Sequence, residues 1–179
     1  MLKKIALIFI IFILSAHSAV SITAGERYPI DRTEYIEKLL QDNLAPLTRY
    51  TCTLVPRGFV ISVAEEDFFE NNSGCITSRG EIILRVLGKI LKEVNRECTI
   101  EGHSEEVLAQ NSIYKSDWEL SIVRAEAILH YLIENSEIPI EKIHSIGFGD
   151  IMPYENKVTK KQFSNNRINF VIFDYHATR

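Results

Sequence analysis

At 179 residues, with 46% hydrophobic and 25% charged side chains, the chain has the composition of one globular domain with additions, which excludes bulk disorder. A formal net charge of −4, with no dominant basic stretch, argues against a nucleic-acid partner. Five Pro and eight Gly leave little material for long flexible linkers.

Lys3 and Lys4 precede an unbroken apolar run over 5–14, and Ala16-His17-Ser18 offers small residues at the −3 and −1 positions of a cleavage site. This predicts a signal peptide over 1–18, cut near Ser18, and an exported, periplasmic protein. Counted on to Ile22, the same run has room to remain as an uncleaved anchor. Export places Cys52, Cys75 and Cys98 in an oxidising compartment, where three thiols imply one bridge and one free thiol. A hairpin would carry Cys52 toward Cys75, and a parallel strand would carry it toward Cys98; both pairings stay open. No pair has the spacing of a metal site.

Residues 19–50 read as a spacer with a short helix over 34–43. Thr33 caps that helix, Tyr35, Ile36, Leu39 and Leu40 share a face, and Pro46 ends any continuation. The domain proper is expected over 51–179. Strands over 49–54 and 59–63 flank a turn at 55–58, and a polar loop over 65–74 carries Phe68 and Phe69. Ser78-Arg79-Gly80-Glu81 reads as a capping box opening a helix to Glu93, with Ile82, Ile83, Val86, Leu87, Ile90 and Leu91 as its buried stripe. A strand over 98–102, a loop, a helix over 116–133, a single turn after Pro139, a strand over 143–148, a loop and a strand over 167–173 follow.

The fold class expected is α+β: a β-α-β-α-β-β mixed sheet with helices packed on one face. Strands joined through a helix run parallel, so their C-terminal ends share an edge. His103, Ser104 and Glu105 leave the strand at that edge, close to where the 116–133 helix begins, and ligands bind at such edges.

Ser116 and Glu119 form a capping box for that helix. Rotated at about 100° per residue, it puts Glu119, Glu126 and His130 on a narrow polar stripe. Trp118, Leu120, Ala125, Ile128, Tyr131 and Leu132 fall within a broad apolar arc. Arg124 and Ser121 interrupt that arc. A guanidinium aimed into apolar surroundings needs an anion, either a protein carboxylate or a ligand.

Four stretches occur in order at characteristic spacing: 100–105 (IEGHSE), 118–125 (WELSIVRA), 147–156 (GFGDIMPYEN) and 165–170 (NNRINF). Together they resemble the OmpA-like peptidoglycan-binding domain of the OmpA/MotB/Pal family, over about 57–173. The resemblance implies a binding module that is not an enzyme, needs no cofactor, and holds the diaminopimelate of the peptidoglycan stem peptide. In that family an acidic residue after the strand meets the ligand's ammonium, and the Arg of Leu-Ser-x-x-Arg-Ala meets its carboxylate. Carried over, these are Glu105 and Arg124. Ser121 and the backbone N–H groups at the helix start would take a second oxygen. Asp117 stands where the family has Asn. It would cap the helix start or border the ligand. Asn156 borders the pocket or serves a turn. Glu105 replaces the family's Asp, Asn166-Arg167 its paired Arg, and Asn169 a Glu.

No His-Glu-x-x-His spacing or nucleophile elbow is present, and Gly147-Phe148-Gly149 opens no helix that would cradle a phosphate. The resemblance leaves three roles: an exported wall-binding protein, associated with the outer membrane or the wall; a membrane-anchored MotB-like component of a motor or secretion complex; and a structural OmpA-like domain that no longer binds. The N-terminal segment is the expected contact for any envelope protein.

Overall fold

A computed structural model describes residues 30–105, 112–151 and 165–173. The expected signal peptide and Asn156 lie outside the described residues. The chain divides after Arg32 into two units, and the fold below is that of the second. The elements are α1 (Ile30–Asn43), β1 (Tyr50–Val55), β2 (Gly58–Ala64), a 3-10 turn (Glu65–Asp67), α2 (Ser78–Val94), β3 (Cys98–His103), α3 (Asp117–Ser136), a second 3-10 turn (Ile140–Lys142), β4 (Ile143–Gly147) and β5 (Arg167–Phe173). The first β of the expected order is thus a two-stranded hairpin.

The five strands form one sheet in the order β1-β2-β5-β3-β4. β3 and β4 are parallel, and the other neighbours are antiparallel. Since β5 runs against both β2 and β3, strands β2, β3 and β4 all point the same way. Their C-terminal ends open onto a single edge, where Glu65 follows β2, Ser104 follows β3 and Phe148 follows β4.

One face of the sheet carries Phe59, Ile61 and Val63, then Ile168, Phe170 and Ile172, then Cys98 and Ile100, then Ile143. These residues join one core cluster with Ile36 and Leu40 of α1, Leu44 just after it, Ile83, Leu84, Leu87, Ile90 and Leu91 of α2, and Ala125, Ile128 and Leu132 of α3. Helix α1 is therefore part of the domain's packing. It begins at Ile30, so Thr33 lies inside it rather than capping it. Tyr35 stays on the surface, with its hydroxyl on Glu93. In α2 the buried stripe includes Leu84, whereas Ile82 is exposed. The cap is Thr77, whose Oγ1 accepts from Gly80 N–H at 3.0 Å, one residue before the expected Ser78.

The opposite face carries Val60 and Val171 and, beside them, a buried polar network. Ser62 Oγ donates to Asn169 Oδ1 at 2.8 Å, and Asn169 Nδ2 reaches Glu101 Oε2 at 3.2 Å and His103 Nε2 at 3.1 Å. Arg57 Nη1 pairs with Glu101 Oε1 at 2.7 Å, and His103 stacks on Phe148 at 5.2 Å. Burial alone would raise the Glu101 carboxyl, but hydrogen bonds from His103, Arg57 and Asn169 outweigh it and hold the group below its ordinary range. Burial depresses His103, against a smaller opposing pull from Glu101.

All three cysteines are free thiols. Cys52 on β1 and Cys98 on β3 are separated by β2 and β5, roughly 14 Å at ordinary strand spacing, beyond the reach of a disulfide. Cys75 is exposed in the segment before α2. The single bridge expected from three exported thiols is not formed. Among the described residues no helix is long and apolar enough to cross a membrane.

Candidate functional site

The edge where β2, β3 and β4 end is held together by close approach of α3. Gly102 and Gly147 face each other across the β3–β4 ladder. A Cβ on Gly102 would stand 2.2 Å from the Ser121 carbonyl oxygen, and one on Gly147 would stand 2.5 Å from the Ile122 nitrogen. The two glycines form the notch that admits the first turns of α3. Ser116 Oγ caps the helix by accepting from Glu119 N–H at 3.1 Å, while Glu119 Oε2 accepts from Lys115 N–H at 2.7 Å.

Ser121 is fully buried and fastens this helix to the loop after β4. Its Oγ donates to Trp118 C=O at 2.8 Å and accepts from Gly149 N–H at 2.9 Å. Gly149 (φ +54°) returns its own carbonyl to Ser104 N–H at 3.2 Å. Trp118, placed by periodicity in the apolar arc, is 55% exposed, and its Nε1–H donates to Gly147 C=O at 3.1 Å.

Arg124 is 1% exposed and bridges four segments. Its Nη1 lies 2.7 Å from Glu65 Oε1, Nε donates to Ser73 C=O at 2.8 Å and Nη2 donates to Glu70 C=O at 3.0 Å. Its guanidinium carbon stands 5.3 Å from the centre of the Phe69 ring. Ser104 Oγ donates to Glu65 Oε2 at 2.9 Å and approaches Arg124 Nη1 at 3.4 Å. The anion that periodicity required for Arg124 is therefore a protein carboxylate, Glu65.

Glu105 is exposed at the same edge. Its backbone N–H donates to Asn166 Oδ1 at 2.6 Å, and the Asn166 carbonyl accepts from Glu65 N–H at 3.3 Å. Asn166 thus links the residues that leave β2 and β3. Asp117 opens α3 on this side as its first residue. The structure therefore brings Glu105, Ser121, Asp117 and Arg124 to one edge, with Arg124 behind the surface and Glu105 on it. Glu65 escaped sequence reasoning because it fell within a stretch read as a polar loop. The signal was its place, an acid just past the end of a strand, as Glu105 is one residue further on from β3. The two phenylalanines beside it are core residues, at 0% and 3% exposure.

Residues 68–167 match the OmpA family. The chain is 26% identical over 117 residues to the uncharacterized protein YtxE of Bacillus subtilis, covering 65% of this chain and 48% of that protein. It is 25% identical over 140 residues to Motility protein B of the same organism, covering 76% and 53%. It thus spans about half the length of these relatives. Similar solved structures include a putative MotB-like protein from Desulfovibrio vulgaris, with a TM-score of 0.70, 17% identity and coverage of 81% of this chain and 93% of that one. The cell wall anchor of the T6SS from Pseudomonas aeruginosa has a TM-score of 0.66, 18% identity and coverage of 78% and 97%. At these identities the likeness is one of fold.

Proposed function

Because the chain belongs to the OmpA family, we propose that it is a cell-envelope protein that binds peptidoglycan without covalent chemistry, and that it is a binding module and not an enzyme. The ligand is the stem peptide, held at its diaminopimelate side chain. The observation that carries this is the edge itself: an exposed carboxylate, Glu105, beside a buried and oriented cation, Arg124, where parallel strands end and a helix begins. Glu105 accepts the ligand's ammonium. Arg124, anchored on the carbonyls of Glu70 and Ser73, fixes the wall of the site against α3. Ser121 sets the Gly149 turn, and Asp117 borders the ligand. No metal or cofactor is required. The structure named above as a cell wall anchor shares this fold.

Replacing Glu105 by Gln tests the site with little risk to the fold, since surface substitutions are usually within about 0.5 kcal/mol. Retention on purified sacculi is expected to fall tenfold or more, about 1.4 kcal/mol. Unchanged retention by a folded E105Q protein refutes the assignment.

The similarity to Motility protein B favours a second reading, a membrane-anchored component of a motor-like complex. It requires the apolar run over 5–22 to stay uncleaved, and that run carries no acidic residue to move protons. N-terminal sequencing of the mature protein separates the two.

A further inference from the structure

β1 is one edge of the sheet, and among the described residues no strand pairs with its outer side. Exposed edges are ordinarily blunted by charge, proline, a bulge or a covering element, because their free N–H and C=O groups recruit other strands. β1 carries none of the first three. Its sequence, Tyr50-Thr51-Cys52-Thr53-Leu54-Val55, is uncharged and free of Pro, and it pairs with β2 residue for residue over its whole length. Thr53 and Leu54 are exposed. The other edge is treated differently: β4 ends at Trp118, whose indole N–H takes the Gly147 carbonyl.

The register fixes which groups β1 offers. Pro56-Arg57 is a two-residue turn, so Val55 and Gly58 close the hairpin as a hydrogen-bonded pair, and Thr53 and Thr51 follow with Val60 and Ser62. The N–H and C=O groups of Tyr50, Cys52 and Leu54 therefore point away from β2. Their side chains share the face of Val63, Ile61 and Phe59, the core residues across from them. On that face Tyr50 and Cys52 line a groove against α1. Among the described residues lining it, Glu34, Glu37 and Asp42 stand against one base, Lys38; Arg49, just before the strand, does not line it. Glu37 lies close to the strand: after burial, its charge is the next cause of the rise of the Cys52 thiol to about 12.

We propose that β1 is a docking edge, which takes an extended segment of a partner protein with Lys or Arg at alternate positions as a further strand of the sheet. The outward groups of Tyr50, Cys52 and Leu54 supply its main-chain hydrogen bonds, and the pleat sends every second guest side chain into the groove. There Glu34, Glu37 and Asp42 favour a cation and oppose a carboxylate. A long basic side chain suits this shape, with its stem along Tyr50 and Cys52 and its charge at the acids. The surface is separate from the edge that holds Glu105, since β2 and β5 lie between β1 and β3. The inference does not rest on the peptidoglycan reading.

The test is fluorescence anisotropy of the full chain with a labelled heptapeptide in which Lys alternates with Val. Saturable binding below about 1 mM is expected. The same peptide with Glu in place of Lys, and the Lys peptide N-methylated along its backbone, are each expected to bind about tenfold more weakly or worse. Leu54→Pro removes an outward N–H without taking a bond from the β1–β2 ladder, so it is expected to lose the Lys peptide to the same extent and keep its retention on sacculi. Glu34→Gln with Glu37→Gln should bring the Lys and Glu peptides within about threefold of each other. No binding of the Lys peptide at about 1 mM, equal binding of the Glu peptide, or equal binding of the methylated peptide overturns the inference. If L54P does not fold, the methylated peptide on the wild-type chain decides. If sedimentation shows a dimer that L54P disperses and the Lys peptide leaves intact, the occupant is a second copy of this chain and the inference fails.

Discussion

Replacing Arg124 by alanine removes the contact to Glu65 at 2.7 Å, two hydrogen bonds to backbone carbonyls and the ring contact with Phe69, all within the fold. The cost is not the sum of those contacts. It is dominated by what remains, a carboxylate at 4% side-chain exposure with its counter-ion gone. Breaking a buried pair from one side costs about 3–5 kcal/mol, a large share of the roughly 5–15 kcal/mol that holds a domain together. Urea denaturation followed by circular dichroism reads this directly. With a slope of about 2 kcal/mol per molar urea, the midpoint of R124A is expected to fall by roughly 2 M. R124K keeps a charge but not the planar fork, so it loses the carbonyls of Ser73 and Glu70 and falls between wild type and alanine. A double-mutant cycle with Glu65→Gln is expected to show coupling of about 1–3 kcal/mol, because the second substitution removes the stranded charge created by the first. A cost below about 1 kcal/mol for R124A, or strict additivity in the cycle, would mean that the pair is screened like a surface ion pair. The pinning role of Arg124 would then be wrong.

Three further outcomes are expected. Gly102→Ala drives a Cβ to within 2.2 Å of the Ser121 carbonyl, so α3 must move; a loss of about 1–3 kcal/mol or more should appear in thermal unfolding, and an unchanged Tm would contradict the notch. His103 titrates below its ordinary 6.5 in the fold, chiefly through burial. The unfolded chain therefore binds protons first, and stability is lost as pH falls below 6.5. Glu101, held below its ordinary 4.5, adds to the loss below that value. His103→Gln should flatten the urea midpoint between pH 6.5 and 4.5, and an unaltered slope would remove His103 as its source. Burial pushes the Cys52 and Cys98 thiols up to about 12, whereas Cys75 is exposed. A maleimide at pH 8 should label one equivalent, at Cys75, with the other two reacting only on unfolding; three equivalents at similar rates would refute this.

Local signals carried much of the architecture. The apolar alternation of β5 placed its strand over 167–173, the bounds observed. Ser116 caps α3 as its position implied, and the helix runs only three residues beyond the expected Ile133. Capping and periodicity are decided within a few residues, so they can be read from a single sequence. The same holds for Glu105, which leaves β3 at the C-terminal edge because a parallel crossover must put it there. Burial was less legible. Arg167 and Asn169 alternate with the apolar residues of β5 as solvent-facing side chains do, yet both are buried. Their face is satisfied by a polar network drawn from β2, β3 and the turn before β2, and no stretch of one strand announces partners on two others and a turn.

Glu65 marks the boundary most sharply. The helical wheel required an anion for Arg124 without specifying its source, and local pattern had no means to do so. Glu65 and Arg124 stand 59 positions apart. They meet because β5, the last strand in sequence, inserts between β2 and β3 and fixes both ends on one edge through Asn166. The strand order follows from the pairing of distant segments, and loop-closure entropy rewards such pairing only once the whole sheet forms. An acid within two residues of the end of each of two parallel strands is a pattern visible in the letters, and it acquires meaning only when the strands are known to be parallel. One of the two acids is neutralised from within and the other faces solvent. On the proposed reading, that division of labour suits the edge to a positively charged group, and it is a property of the sheet's topology before it is a property of either residue.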